Sequence, residues 1–294
     1  MILVVGASGS LGGSIAQALL AQGKPVRILT RSPLACSALV NAGATPVEGD
    51  LKDPPSLARA VTGITTVITT ANAAQRAGSD TFESVDLAGN QNLIGAAKAA
   101  AVKQFVFTSA FTADANSPDP FMSFKGRTEQ TLAGSGMNYT ILAPHIFMEV
   151  WFGMVIGTAL QSGEAVTLVG RGDKRHSFVS AGDVAAVALA AVDNAAALNR
   201  RIPIGGPEAV SWTDVVRRVA QVIGRDLPVT YVPIGSPLPI PQATWNLMYA
   251  TEMFEADIPM GEVTETFGVS LTPLEEVAKR LFPVPTQSSG MPSS

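Results

Sequence analysis

Thiol and imidazole groups are scarce in this 294-residue chain, which has one cysteine, Cys36, and two histidines, His145 and His176. A lone thiol excludes an internal disulfide and any multi-cysteine metal centre, and two histidines make no convincing metal site, so no metal is expected. Cys36 reads as a buried, neutral helix residue rather than a nucleophile. Charge is also sparse: Lys+Arg number 20 against Asp+Glu 24, for a net −4, with no block of like charges. An electrostatic footprint for nucleic acid is therefore missing, and a small molecule is the expected partner. The apolar stretches are broken by Gly, Gln, Glu or Asp well short of the roughly 20 residues that a membrane helix needs. ILVV at residues 2–5 follows Met1 directly, without a charged or apolar leader before the glycine-rich loop. The expectation is a cytoplasmic protein with no membrane span, a monomer or homodimer.

What the chain does have is apolar residues, 47% of the total, arranged in a rhythm. Short β-branched runs (ILVV, VRIL, TPVE, TTVITT, QFVFTS, YTIL) alternate with Ala- and Leu-rich stretches at 11–21, 34–42, 54–61, 83–100 and 123–134. Alternation of this kind predicts a parallel sheet with helices on both faces, and the near-continuous apolarity of the strands fits burial on both sides. After residue 144 the pattern changes to an aromatic and Met-rich segment, IFMEVWFGMVIG, then a strand at 176–180, a helix at 182–193, the strand RIPIG, a helix at 211–223, a Pro-rich region from 234 and a last helix at 272–281. The predicted organisation is a nucleotide domain over 1–145 and about 176–205, a lobe from about 146–175 and 206–285, and a disordered tail at 286–294.

Directly after the first strand stands GASGSLG, with Gly6, Gly9 and Gly12. Glycine is needed where a backbone turns tightly, approaches a pyrophosphate, and packs helix on strand; free N–H groups and the helix dipole then meet the phosphates. Ser8, Ser10 and Leu11 fall in the same loop and helix start. The second strand ends in Thr30-Arg31-Ser32 rather than in an acid. A guanidinium forks onto a phosphate that a carboxylate would repel, so Arg31 and Ser32 favour the 2′-phosphate of NADP(H), with NAD(H) possible; a solvated arginine after a strand is the plain alternative.

GASGSLG, TRS, GDLKDP at 49–54, VDLAGNQNLIGAAKAAAVKQFVFTSA at 85–110, LAPHIFMEV at 142–150 and FVSAGDVAAVA at 178–188 together resemble the NmrA-like group of atypical short-chain dehydrogenase/reductases. That group includes NAD(P)H-dependent quinone reductases, phenylcoumaran and isoflavone reductases, and non-catalytic redox sensors. The resemblance implies a doubly wound parallel-sheet Rossmann fold with a small C-terminal substrate-binding lobe. It implies that Asp50 and Leu51 line an adenine pocket and that Thr70 to Ala73 pass along the cofactor, with Asn72 the polar contact. On turn chemistry alone Asp50 reads equally well as a residue preceding a helix start. Asp183 is implied to be structural.

Thr108-Ser109 close the fifth strand at the edge where ligands bind in such sheets, either to hold cofactor and a substrate carbonyl or to close an ST-turn. In PFMSFKGRTEQ at 120–130, Lys125 takes the place of the family's ribose lysine, while Phe121 stands where many relatives have a tyrosine. Phenylalanine gives no proton, so the familiar Ser-Tyr-Lys mechanism does not transfer. His145, after the sixth strand, is the remaining candidate proton source or carbonyl polariser, or else a satisfied pocket histidine. His176 has no companion in the sequence. Phe147, Met148 and Trp151, with Phe152 and Met154, form an aromatic and thioether cluster suited to a flat conjugated ligand or, equally, to plain core. The leading expectation is an NADPH-dependent reduction of a quinone or other conjugated carbonyl, catalysed with Lys125, His145 and Ser109. The alternatives are a non-catalytic NADP(H)-binding sensor or a tailoring enzyme of aromatic natural products.

Overall fold

In the computed structural model, which describes residues 1–73 and 79–283, the first half of the chain forms the expected alternation. The elements are β1 (Ile2–Val5), α1 (Ser10–Ala21), β2 (Val26–Thr30), α2 (Ser37–Asn41), β3 (Thr45–Glu48), α3 (Pro54–Val61), β4 (Thr66–Thr69), α4 (Asn90–Ala99), β5 (Gln104–Thr108), α5 (Pro120–Ala133) and β6 (Asn138–Pro144). A π-helix, Phe82–Gly89, leads into α4, and α5 starts at Pro120, earlier than the pattern suggests, because Asp119 caps it by accepting from the Met122 N–H. The remaining elements are β7 (Ile146–Phe147), α6 (Met148–Phe152), α7 (Thr158–Ser162), β8 (Val166–Val169), β9 (Arg175–Val179), α8 (Ala181–Ala191), β10 (Arg200–Ile204), β11 (Ala209–Ser211), α9 (Trp212–Ile223), β12 (Val229–Val232), α10 (Trp245–Ala250), α11 (Gly261–Phe267) and α12 (Leu274–Leu281).

Seven strands make one all-parallel sheet in the order β10-β6-β5-β4-β1-β2-β3. The side chains of each strand alternate between two cores. Ile2 and Val4 of β1 join α1, α2, α8 and α11 on one face, while Leu3 and Val5 join α3, α4 and α5 on the other. The same split separates Ile28 from Leu29, Ile68 from Val67, and Val106 from Phe105 and Phe107, so a one-residue slip of any strand would exchange its two faces. This is the Rossmann order, and the direction of winding reverses between β1 and β4.

The late strand β10 extends the sheet, and α8 packs on the face shared with α1. β9 does not enter the large sheet: it pairs parallel with β7 and antiparallel with β11, while β8 and β12 form a separate two-stranded pair. A third core, built around Met148, Phe152, Phe178 and Trp212, holds this lobe together. Two short helices, α10 and α11, interrupt the region from 234 that the sequence marks only as Pro-rich. The expected tail at 286–294 lies outside the described residues. Among the described residues no helix is long and apolar enough to cross a membrane.

Candidate functional site

The carboxyl ends of β2, β1, β4, β5 and β6 carry, in that spatial order, Arg31, the Gly6 loop, Thr70 to Asn72, Thr108-Ser109 and His145. Residues far apart in sequence therefore lie along one edge, with the glycine loop at the switch point.

Two glycines of that loop are required by close approach. At Gly6 (φ +90) a Cβ would lie 2.6 Å from Thr70 Oγ1, and at Gly12 it would lie 2.7 Å from the same oxygen and would collide with the Gly6 carbonyl. A larger residue at either place would push the loop out of the space beside β4. Gly9 is the N-cap residue of α1; it has no side chain with which to cap, and the first turn holds no acid. The helix therefore presents uncapped N–H groups and an uncompensated positive end, in the form suited to a phosphate. Ser8 and Ser10 are exposed there, while Leu11 packs on the core. Glycine cradle, bare helix start and adjoining groove fit a dinucleotide.

That groove is lined by Gly6, Ser8, Arg31, Asp50 and Leu51 among others. Asp50 serves both readings of its sequence context, since it lines the groove while its Oδ1 accepts from the Lys52 N–H at 2.8 Å in an Asx turn. Arg31 is half exposed, and its Nη1 lies 2.7 Å from Asp80 Oδ2. Ser32 is exposed and gives its N–H to Thr30 Oγ1 at 3.2 Å. The Asn72 side chain donates to the Thr70 carbonyl at 3.3 Å, which holds the loop after β4 against its own strand. Beneath that loop Asn90 binds Thr69, and the Ala73 N–H donates to Asp86 Oδ2 at 2.9 Å.

Asp86 escaped the sequence reading. It sits in the π-helix, fully buried, with Oδ1 3.1 Å from Lys125 Nζ; the Lys125 side chain is only 3% exposed. The ammonium also donates to the Thr108 carbonyl at 3.1 Å and lies 5.0 Å and 5.6 Å from the ring centres of Phe107 and Phe121. Lys125 is thus fixed at the end of β5 by a counter-ion, a carbonyl and two aromatic faces. Phe121 also packs on Phe82, with ring centres 4.9 Å apart. Thr108 Oγ1 is buried and has no protein partner.

Ser109 is committed elsewhere. Its hydroxyl donates to Glu129, whose other oxygen takes Arg201 Nε at 2.9 Å; Arg201 in turn holds the carbonyls of Ala110 and Phe111 at 2.8 and 2.9 Å. This network ties β5 and the following loop to α5 and β10.

His176 is the companion of His145 that the sequence could not reveal. His145 Nε2 lies 3.0 Å from His176 Nδ1, and His176 Nε2 lies 2.8 Å from the Thr251 carbonyl. A carbonyl only accepts, so His176 carries its proton on Nε2, its Nδ1 accepts, and His145 must donate through Nε2. Burial pushes the His145 pKa down to about 3, with His176 adding to the shift. Burial also lowers His176, against smaller opposing effects of the Thr251 carbonyl, Glu252 and Glu255. His145 is therefore neutral near pH 7 with its single N–H given to His176, the arrangement of a satisfied pocket histidine. Phe111 and Phe254 flank its ring at 5.2 and 6.2 Å.

Of the aromatic cluster, Phe147 is half-buried against the sheet core, Met148 and Phe152 are buried in the lobe core, and Trp151 packs on Trp212 at 6.4 Å. Met148 and Trp151 thus contribute first to the lobe's own packing. Asp183, at the start of α8, accepts from the Thr272 N–H and hydroxyl at 2.8 and 2.6 Å, joining the chain before α12 to α8. Among the described residues no cluster of His, Cys, Asp or Glu forms a metal site.

Strand order and glycine-cradled helix start define a Rossmann-type α/β protein. Residues 1–281 match the NmrA-like family, to which the chain belongs. A photosystem II assembly factor of Cyanophora paradoxa is 31% identical over 234 residues, 80% of this chain and 72% of the relative. The NAD(P)H azoreductase of Xenophilus azovorans is 31% identical over 239 residues, 80% of this chain and 77% of that one. The NADPH-dependent quinone oxidoreductase of Escherichia coli, solved with NADPH, superposes with a TM-score of 0.77 over 96% of this chain and 100% of that chain at 23% identity.

Proposed function

We propose that the chain is an NADP(H)-dependent reductase that passes hydride to a quinone or another conjugated carbonyl compound. The observation that carries this reading is the single edge on which an uncapped, glycine-cradled helix start lies between Arg31 and the Thr108-Ser109-His145 region. The N–H groups of α1 would hold the pyrophosphate, Arg31 the 2′-phosphate, and Asp50 and Leu51 the adenine end. When bound, NADPH supplies the hydride. Lys125, fixed by Asp86, places a positive charge beside the end of β5 where the nicotinamide ribose would lie.

The stronger acids expected at that edge are missing or engaged: Phe121 has no proton, Ser109 donates to Glu129 and His145 donates to His176, which leaves only the unpartnered Thr108 hydroxyl, a weak acid. A simple ketone needs an acid as hydride arrives, whereas a reduced quinone is a stabilised phenolate that water protonates. That contrast supports a conjugated acceptor, as does similarity to an azoreductase and a quinone oxidoreductase. The same engagement of Ser109 and Lys125, with the similarity to assembly factors, supports a second reading as a non-catalytic dinucleotide-binding assembly protein or sensor. NADPH oxidation measured anaerobically across a panel of quinones, enones and azo compounds separates the two. Turnover with a conjugated acceptor and none with simple ketones is expected; tight NADPH binding with no turnover on any acceptor would leave the second reading standing.

A further inference from the structure

Two cations converge on one carboxylate, that of Asp80; Arg31 lines the groove and is marked by the sequence pattern, while Lys52 stands just beyond Asp50 and Leu51 of the lining and is not. Arg31 Nη1 and Lys52 Nζ lie 2.7 and 2.6 Å from the two oxygens of Asp80. The Asp80 side chain is 3% exposed, against 51% for Arg31 and 38% for Lys52. The carboxylate is therefore buried beneath two partly exposed cationic side chains. A guanidinium has five N–H donors and an ammonium three, so one bond from each to Asp80 leaves donors unspent. Lys52 is fixed at its backbone as well, by its N–H bond to Asp50 Oδ1 at 2.8 Å, and Asp50 lines the groove beside Arg31.

We propose that Lys52 is a second ligand of the 2′-phosphate of NADP(H) and that Asp80 is the positioning residue that holds Lys52 and Arg31 together as one receptor. This rests on the NADP(H) reading above. Arg31 and Lys52 set two cations against Asp80 below and Asp50 in the groove wall, and their unspent N–H donors suit the anionic oxygens of a phosphomonoester, which a ribose hydroxyl lacks. The Asp80 oxygens are engaged by these cations rather than presented to a 2′-hydroxyl.

The test is equilibrium binding of NADPH and NADH to the full chain, wild type and variants. Lys52→Ala is expected to weaken NADPH about tenfold, the scale of one charge-assisted hydrogen bond. NADH should change less than about twofold, and Lys52→Arg should retain most of the NADPH affinity. Unchanged NADH binding serves as the check that Lys52→Ala is folded. In an Asp80→Asn background the tenfold effect of Lys52→Ala should shrink to about twofold or less, because the ammonium is no longer held beside Arg31. An unchanged NADPH/NADH ratio in Lys52→Ala would overturn the ligand role. A full tenfold effect surviving in Asp80→Asn would overturn the positioning role. If the wild type binds neither dinucleotide, the NADP(H) reading falls first and this inference with it; if it binds both and Lys52→Ala alters neither, only this inference falls.

Discussion

His145 and His176 show how a residue's chemistry follows from its neighbours rather than its type. In water each would titrate near 6.5, but burial holds both below that value, His145 at about 3. The unfolded chain therefore binds protons that the native one refuses. Stability from this pair is fully present above about pH 6.5 and is lost as pH falls toward the lowered native values. Each histidine contributes at most about 1.4 kcal/mol per pH unit across that window. Melting temperatures between pH 7.5 and 5 should fall for the wild type and fall less for His145→Phe; equal slopes would mean that the pair is not buried neutral. Lys125 makes the complementary point. Its ammonium is paired with a fully buried carboxylate, so Lys125→Ala strands the Asp86 charge in apolar surroundings and costs stability.

At the scale of elements, the position of α5 depends on contact with the loop before it. A Cβ on Gly126 would collide with Ala115 N and the Asp114 carbonyl carbon and come within 2.8 Å of Asp114 Cα. These are backbone atoms that a rotamer change cannot clear. Gly126→Ala is expected to destabilise the chain by about 1 to 3 kcal/mol, measured by urea unfolding, because α5 must lift and carry Lys125 and Glu129 with it. A neutral result would show that loop 110–119 yields freely. The elements themselves were legible where local pattern decides them: six strands and their crossovers follow from apolar runs alternating with helical stretches. The sequence pattern places β9 within the nucleotide domain, yet it pairs with β7 and β11, because which strands pair is decided by tertiary packing that local periodicity does not encode. The glycine loop between β1 and α1 and the place of Arg31 at the end of β2 follow from the local pattern. Asp86 was hidden inside the polar run VDLAGNQN, and His176 lies 31 positions from His145, so nothing local links either residue to its partner.

For the whole molecule, the question is whether lobe and nucleotide-binding sheet respond as one body. Besides α11, which packs in the sheet's own core, polar contacts tie the two parts together. Asp183 on α8 binds Thr272 ahead of α12, His176 on β9 binds both His145 and Thr251, and Ser177 Oγ accepts from the Ile258 N–H at 2.9 Å. Two of the side chains, His176 and Ser177, are almost wholly buried, so separating the parts would expose unpaired polar groups along with apolar core. Thermal unfolding is therefore expected as a single cooperative transition, even though the lobe has a core of its own. A ligand that binds only the glycine loop and groove should then stabilise the entire chain. At a hundredfold excess over its Kd, NADPH contributes about 2.7 kcal/mol, a rise in Tm of roughly 5 to 10 °C. If calorimetry resolves two transitions and NADPH moves only one, the lobe is an autonomous unit and these contacts do not couple it to the cofactor. If one transition moves as a whole, the glycine-loop edge and the segment at 251–258, which runs beside β9, unfold as one unit.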